Sequence, residues 1–308
     1  MVSISPWVRC LSRAFAVIAG RRYTYRVKGR KIMHTIQIFD TFCATIWGFY
    51  RANRRSFAWR NTDNPYSVVV SEIMLQQTQT HRVIAKYEEF VATFPTFQVL
   101  AAAPLRDVLL VWQGLGYYRR ARYLHQIAQI VVDDYDGILP NDTQLLETFP
   151  GIGSATAASI CAFAFNRPTP FIETNIRTVF IHSFFSDKEG VSDKEIMPLV
   201  AATMDKENAR EWYYALMDYG VWLKAEHGNA SRKSAHYAKQ SKFEGSDRQI
   251  RAKILKLIAQ QDNLTDKCIV STINKEVERT EKIVQQLISE QFIVKTVSGT
   301  YKIVENNK

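Results

Sequence analysis

From residue 36 to about residue 225 the apolar side chains recur at helical intervals, and no run alternates as a half-buried strand does. Val83, Tyr87, Phe90, Val91 and Phe94 fall on one face of a helix, as do Leu124, Ile127, Ala128, Val131 and Tyr135. Punctuation agrees with the stripes. Asn64-Pro65 is a turn signal, with Ser67 just before the next helix. Gly137 suits a helix stop, and Ser192 with Glu195 fits a capping box. Such a pattern excludes an alternating βα architecture and predicts a nearly all-helical region.

Composition changes at 226–246. "EHGNASRKSAHYAKQSKFEGS" is small, polar and basic, and reads as a connection. Beyond it, "RQIRAKILKLIAQQ" and "EKIVQQLISEQ" are helices, and "FIVKTVSGTYKIV" is two short strands around a Ser-Gly turn. Helices closed by a β-hairpin are the pattern of a winged helix. The expected organisation is a basic extension over 1–35, a helical domain over 36–225, a linker over 226–245 and a winged-helix-like domain over 246–308.

Charge is unevenly spread. The formal net charge is +10, yet residues 1–32 hold eight basic side chains and no acid, so the remainder is close to neutral. The basic start has three readings: an organelle presequence, an arm touching phosphates, or in-frame sequence upstream of a true start at Met33. The last is the favoured one. The four cysteines, Cys10, Cys43, Cys161 and Cys268, lie far apart and form no CxxC, so neither a metal knuckle nor a disulfide scaffold is indicated and a reducing compartment is expected. No apolar run reaches the roughly 20 residues a membrane span needs.

Three segments carry candidate chemistry. "FPGIG" (149–153) between helices is a helix-hairpin-helix signature, in which Gly151 and Gly153 permit positive φ and close backbone approach. The free N–H groups of the following helix then suit a phosphate, although a plain αα-corner uses similar residues. "PFIETNIRTVF" sets Glu173 and Asn175 before a helix, where simple capping is the competing reading. Glu72 follows Val68, Val69 and Val70; a carboxyl in such company should have a raised pKa, fit for a proton donor, unless it is an ordinary helix-surface acid.

Taken in order, "WR…NPYSVVVSEIMLQQTQ", "WQGLGYYRRARYLH", "FPGIGSATAASI" and "ETNIRTV" closely resemble the catalytic domain of the MutY-type adenine DNA glycosylases, of the helix-hairpin-helix superfamily. The resemblance covers roughly 36–225. It implies a mainly α, two-lobed fold with a DNA cleft, followed here by the small winged helix, and a mispaired nucleotide flipped out of the stack. Glu72 matches the catalytic acid that protonates adenine at N7. Arg60 and Asn175 match residues that organise the base pocket. Gln77 and Tyr117 match residues that enter the duplex, with Leu75 on the same wedge. Gly151 and Gly153 match the phosphate-holding hairpin, commonly with a monovalent cation.

Four departures qualify what the resemblance implies. The second catalytic carboxylate, an aspartate in the family, is Glu173, one methylene longer. Ala155 stands in the pocket where bifunctional relatives carry a Schiff-base lysine, which predicts a monofunctional glycosylase without efficient strand nicking. Lys224, Ser231, Ser234 and Gln240 stand where four cysteines would bind a 4Fe-4S cluster, so no cluster is expected and no cofactor for catalysis. Residues 246–308 are too short for the Nudix-like domain that reads 8-oxoguanine. The expected function is excision of adenine opposite 8-oxoguanine or guanine. A thymine or uracil mismatch glycosylase, or a catalytically weak DNA-binding homologue, is the alternative. Expected partners are double-stranded DNA and, for the winged helix, DNA or a protein; a monomer is expected and no membrane. The compartment would be the cytoplasm of a bacterium, or otherwise the nucleus or mitochondrion.

Overall fold

The computed structural model describes residues 29–239, 242–273 and 277–305. The readings made for residues 1–28, and for Gln240, lie outside them. The chain packs as two compact units. One comprises the chain up to Phe57, Asp142–Gln144 and Gly153–Lys239; the other comprises Ala58–Asn141, Leu145–Ile152 and the chain from residue 240 onward.

In the first unit, α1 (Gly29–Asn53) is followed after a long excursion by α8 (Ser154–Phe165), α9 (Thr174–Phe184), α10 (Asp193–Thr203) and α11 (Ala209–His227). Its core is aromatic. Trp212 and Tyr213 on α11 are fully buried, Phe42 meets Phe180 and Phe184, and Phe163 stacks on Tyr214 with centroids 4.6 Å apart. Ser192 and Glu195 form the predicted capping box at α10.

The second unit holds α2 (Pro65–Leu75), α3 (Thr80–Thr93), α4 (Phe97–Ala102), α5 (Leu105–Val111) and α6 (Arg119–Asp134). The short α7 (Thr143–Glu147) lies where the chain passes between units. Asn64, not Ser67, caps α2: its Oδ1 accepts from the backbone N–H groups of Tyr66 and Ser67. Pro65 explains this, since its fixed φ and missing N–H suit the first helical position. The stripe of α3 is buried at Val83, Tyr87 and Phe90, and that of α6 at Leu124, Ile127, Ala128 and Val131. α6 stops as expected, with Gly137 at φ +77° and its N–H on Val131 O at 2.8 Å.

The same unit takes in the C-terminal helices α12 (Asp247–Gln260), α13 (Asp266–Ile273) and α14 (Val277–Ser289) and the antiparallel pair β1 (Ile293–Lys295) and β2 (Tyr301–Ile303), with Val294 opposite Lys302. This is the helices-then-hairpin order of a winged helix. α12 lies against α5, where Arg106 Nε donates to Ala259 O at 2.7 Å. Glu290 accepts from Arg119 of α6 and from Arg251 of α12.

Candidate active site

α2 is buried on almost every side: Val68, Val69, Val70, Ile73 and Met74 are each at most 1% exposed. Its opening is at Glu72 and Leu75, both half-buried and three residues apart, hence on one face. The helix ends at Leu75, and Gln77 then turns out to solvent at φ 52°. A second loop runs Gly114 (φ 96°), Gly116 (φ 73°), Tyr117 (φ 48°) into α6. Positive φ at two non-glycine residues, Gln77 and Tyr117, marks backbone held by its surroundings rather than by its own preference.

Arg120 is what holds it. Its guanidinium is buried, and Nη1 donates to the carbonyls of Ile73 at 3.0 Å, Met74 at 2.7 Å and Gln76 at 2.5 Å. Nη2 donates to Thr78 Oγ1 at 2.9 Å and to Gly116 O at 3.2 Å. One side chain therefore ties the end of α2 to the loop carrying Tyr117, and the cation also lies over the Tyr117 and Trp112 rings. Burial pulls its pKa down to about 10, with Tyr117 opposing and Arg82 adding to the fall, so it remains a cation at neutral pH. The sequence motifs do not single out Arg120. A signal exists nonetheless: it occupies the apolar stripe of α6, four residues before Leu124 and seven before Ile127.

The hairpin turn joins the same framework. Gly151 has φ +73°, and a Cβ there would lie 2.4 Å from the Tyr123 ring, so both conformation and space require glycine. Gly153 does not use that freedom: it is the extended N-cap of α8 at φ −95°, without a side-chain cap bond. Gln76 Nε2 reaches Gly151 O at 3.2 Å, linking hairpin and α2. The carbonyls of Phe149 and Gly151 each accept a hydrogen bond through one lone pair and carry a second, the hard donors a monovalent cation takes. Arg60, on a short 3-10 turn (Ala58–Arg60), is 6% exposed.

In the other unit, Glu173 caps α9. Oε1 accepts from the N–H groups of Asn175 at 2.7 Å and Ile176 at 2.8 Å, and Oε2 accepts from Asn175 Nδ2 at 3.1 Å. The longer acid thus reaches the helix start, and its two oxygens orient Asn175. Asn175 Oδ1 accepts from Lys224 Nζ at 2.7 Å. Burial lowers the Lys224 pKa, while the charge of Glu173 opposes that shift. Beneath them Gly220 permits contact of α11 with α9, for a Cβ there would lie 2.5 Å from Asn175 O. Ala155 lies exposed in the first turn of α8.

Of the four positions that the resemblance assigns to cluster ligands, the three among the described residues do not fit a cluster. Lys224 is committed to Asn175, Ser231 Oγ donates to Asn229 Oδ1 at 2.6 Å, and Ser234 Oγ accepts from His236 N at 3.0 Å. An ammonium and two hydroxyls offer no thiolate to iron.

Comparison with known proteins identifies the family. Residues 70–201 match the family model described as HhH-GPD superfamily base excision DNA repair protein. An adenine DNA glycosylase of Mycolicibacterium smegmatis is 31% identical over 233 residues, 68% of this chain and 78% of that protein. One from Mycobacterium tuberculosis is 27% identical over 276 residues, covering 83% of this chain and 91% of that protein. Among solved structures, a thermostable thymine-DNA glycosylase aligns with a TM-score of 0.57 at 24% identity, over 65% of this chain and 93% of its own. An endonuclease III trapped on DNA as a covalent intermediate aligns with a TM-score of 0.52 at 18% identity, over 60% of this chain and 86% of its own.

Proposed function

The chain belongs to the MutY-type branch of the HhH-GPD superfamily of base excision DNA repair proteins, and from that premise we propose that it excises adenine from A·8-oxoguanine or A·G mispairs in duplex DNA. The observation that supports this most is the joint placement of Glu72 and the wedge. Glu72 lies on the open face of α2, and the same helix runs into a loop that Arg120 fixes from beneath.

The mechanism follows from these parts. Gln77 and Tyr117, with Leu75 behind them, fill the gap left by the flipped nucleotide. Arg60 and Asn175 are each assigned to orienting the base. Glu72 gives a proton to N7 of the base. The bond between C1′ and N9 then breaks with its electron pair leaving on the base. Glu173, held at the start of α9, offers negative charge to the cationic sugar. Water adds to C1′, and its proton restores the acid of Glu72. The N–H groups at the start of α8 and the glycine turn receive the phosphate, and a monovalent cation on the turn carbonyls would add charge there. General acid catalysis of this kind contributes about 10²–10⁴-fold.

The same reading makes the enzyme monofunctional. Ala155 has no amine, and Lys224 is held by Asn175. It also makes the protein free of iron-sulfur cluster, with the Lys224–Asn175 bond and the Ser231 and Ser234 bonds holding that segment.

Duplexes with A, T or U opposite G or 8-oxoguanine, incubated with protein and treated with hot alkali, test the assignment. Scission confined to the A-containing duplexes is expected. Scission at T·G or U·G would replace adenine with a pyrimidine, and binding without scission would leave a binding protein. Glu72→Gln should lose about 10²-fold or more in rate while still binding. Strand breakage without alkali, trapped by borohydride, would overturn the monofunctional reading, and stoichiometric iron would overturn the clusterless one.

A further inference from the structure

The C-terminal helices share a cleft with the wedge. A cavity of about 510 Å³ is lined on one side by Gln77 and Tyr117 and on the other by Arg248 and Arg251 of α12 and Gln286 and Glu290 of α14. That volume lies within the usual range for a site holding a small ligand. Arg248 Nη1 donates to Tyr117 Oη at 2.6 Å, and its guanidinium lies 5.5 Å from the centre of the Tyr117 ring. So the wedge aromatic is contacted by two cations, Arg120 of α6 and Arg248 of the C-terminal helices.

The charge of the cleft fits a nucleic acid. Its two acids are already matched: Asp247 accepts from Arg279 at 2.7 Å, and Glu290 accepts from Arg119 and Arg251. Arg120 and Arg248 also line it, so the surface has a cationic excess. An aromatic ring held among cations is the chemistry that stacks on a purine and favours the electron-rich O6 and N7 edge of a guanine-type base.

We propose that this cleft receives the guanine-type nucleotide left unpaired opposite the excised base, and that Arg248 is a positioning residue that sets discrimination there through Tyr117. The inference rests on the assignment of Gln77 and Tyr117 as duplex-entering residues. It gives the C-terminal helices the task of reading the opposite strand, and names DNA rather than a protein as their partner.

The test uses the full chain and needs no turnover. Duplexes carrying a tetrahydrofuran abasic analogue opposite guanine or cytosine are titrated with protein. The unaltered protein should prefer guanine by about 10-fold, the scale of a single polar contact to a base edge. Arg248→Ala should bring that ratio to about 2-fold or less, with Arg248→Lys between them. Tyr117→Phe, which removes only the oxygen that Arg248 donates to, should reduce the ratio in the same direction and serves if Arg248→Ala does not fold. A ratio equal in all variants overturns the proposal, because loss of general stability would weaken both duplexes alike. Alkali scission of A·G duplexes is read in parallel. Absent scission with a collapsed ratio rejects the chemistry and keeps the cleft; scission with an unmoved ratio does the reverse.

Discussion

Arg120 shows how one buried cation can hold two loops together. It satisfies carbonyls on two loops that each hold one non-glycine residue at positive φ, Gln77 and Tyr117, and no backbone turn could join segments so far apart in the chain. Arg120→Lys keeps the charge but loses the fork, since an ammonium cannot span both carbonyl sets. It should destabilise the protein by about 2–4 kcal/mol in urea unfolding, because buried acceptors are left unmet. The single-turnover rate should fall on the order of 100-fold, the effect of an ångström-scale misplacement. A rate unchanged in a folded Arg120→Lys would detach the wedge from catalysis. Lys224 makes a smaller claim. Lys224→Met keeps the aliphatic stem and removes the donor to Asn175 Oδ1, so stability should change by about 1 kcal/mol while activity falls about 10-fold. Equal activity would make the contact purely structural. Glu72 and Asn175 could be singled out as candidates because they stand inside compact motifs. The bond between Lys224 and Asn175 could not, since the two lie 49 residues apart and only the fold brings them together.

At the level of elements, local chemistry was easy to read where it repeats or caps. The α6 stripe, the Gly137 stop and the capping box at α10 all stand as the spacing predicts. α13 is too short for its apolar spacing to stand out in the sequence, being only 8 residues long with two buried side chains, Ile269 and Ile273. Nor did sequence reveal how α6, α12 and α14 meet. They converge on Glu290, whose carboxylate accepts from Arg119 and Arg251 while its carbonyl accepts from Arg122. Burial alone would raise this carboxyl; the two guanidinium bonds outweigh it and hold its pKa below the ordinary 4.5. A carboxyl held down in the folded state contributes stability that is complete above its unfolded value and is lost as the pH falls through the folded one. The junction is therefore intact at neutral pH and weakens below about pH 4.5. Glu290→Gln should lower the urea midpoint at pH 7, and its deficit relative to the unaltered protein should shrink on acidification below that value. A deficit of the same size at both pH values would mean that the junction is not ionic.

For the whole molecule, composition divides the chain at the polar segment 226–246, whereas packing divides it elsewhere. The C-terminal helices belong with α2–α6, and the chain enters and leaves that unit more than once. The reason lies in side chains that composition cannot pair. Arg106 reaches Ala259 and Asp262, Arg122 reaches Gln291, and Arg248 reaches Tyr117, across sequence separations of 131 to 169 residues. Apolar burial supports them, with Phe292 only 1% exposed beneath the guanidinium groups of Arg122 and Arg251. A unit bound this way should open as one. Amide hydrogen exchange is expected to give α12 and α14 protection within about 1 kcal/mol of that of α5 and α6. Glu290→Gln should lower protection in all four helices together. Helices of an independent appendage would instead exchange faster than α6 in the unaltered protein and would leave α5 and α6 untouched in the variant. Their role at the cleft would then depend on docking anew with each DNA encounter, and opposite-base discrimination would fall as protection in α12 falls.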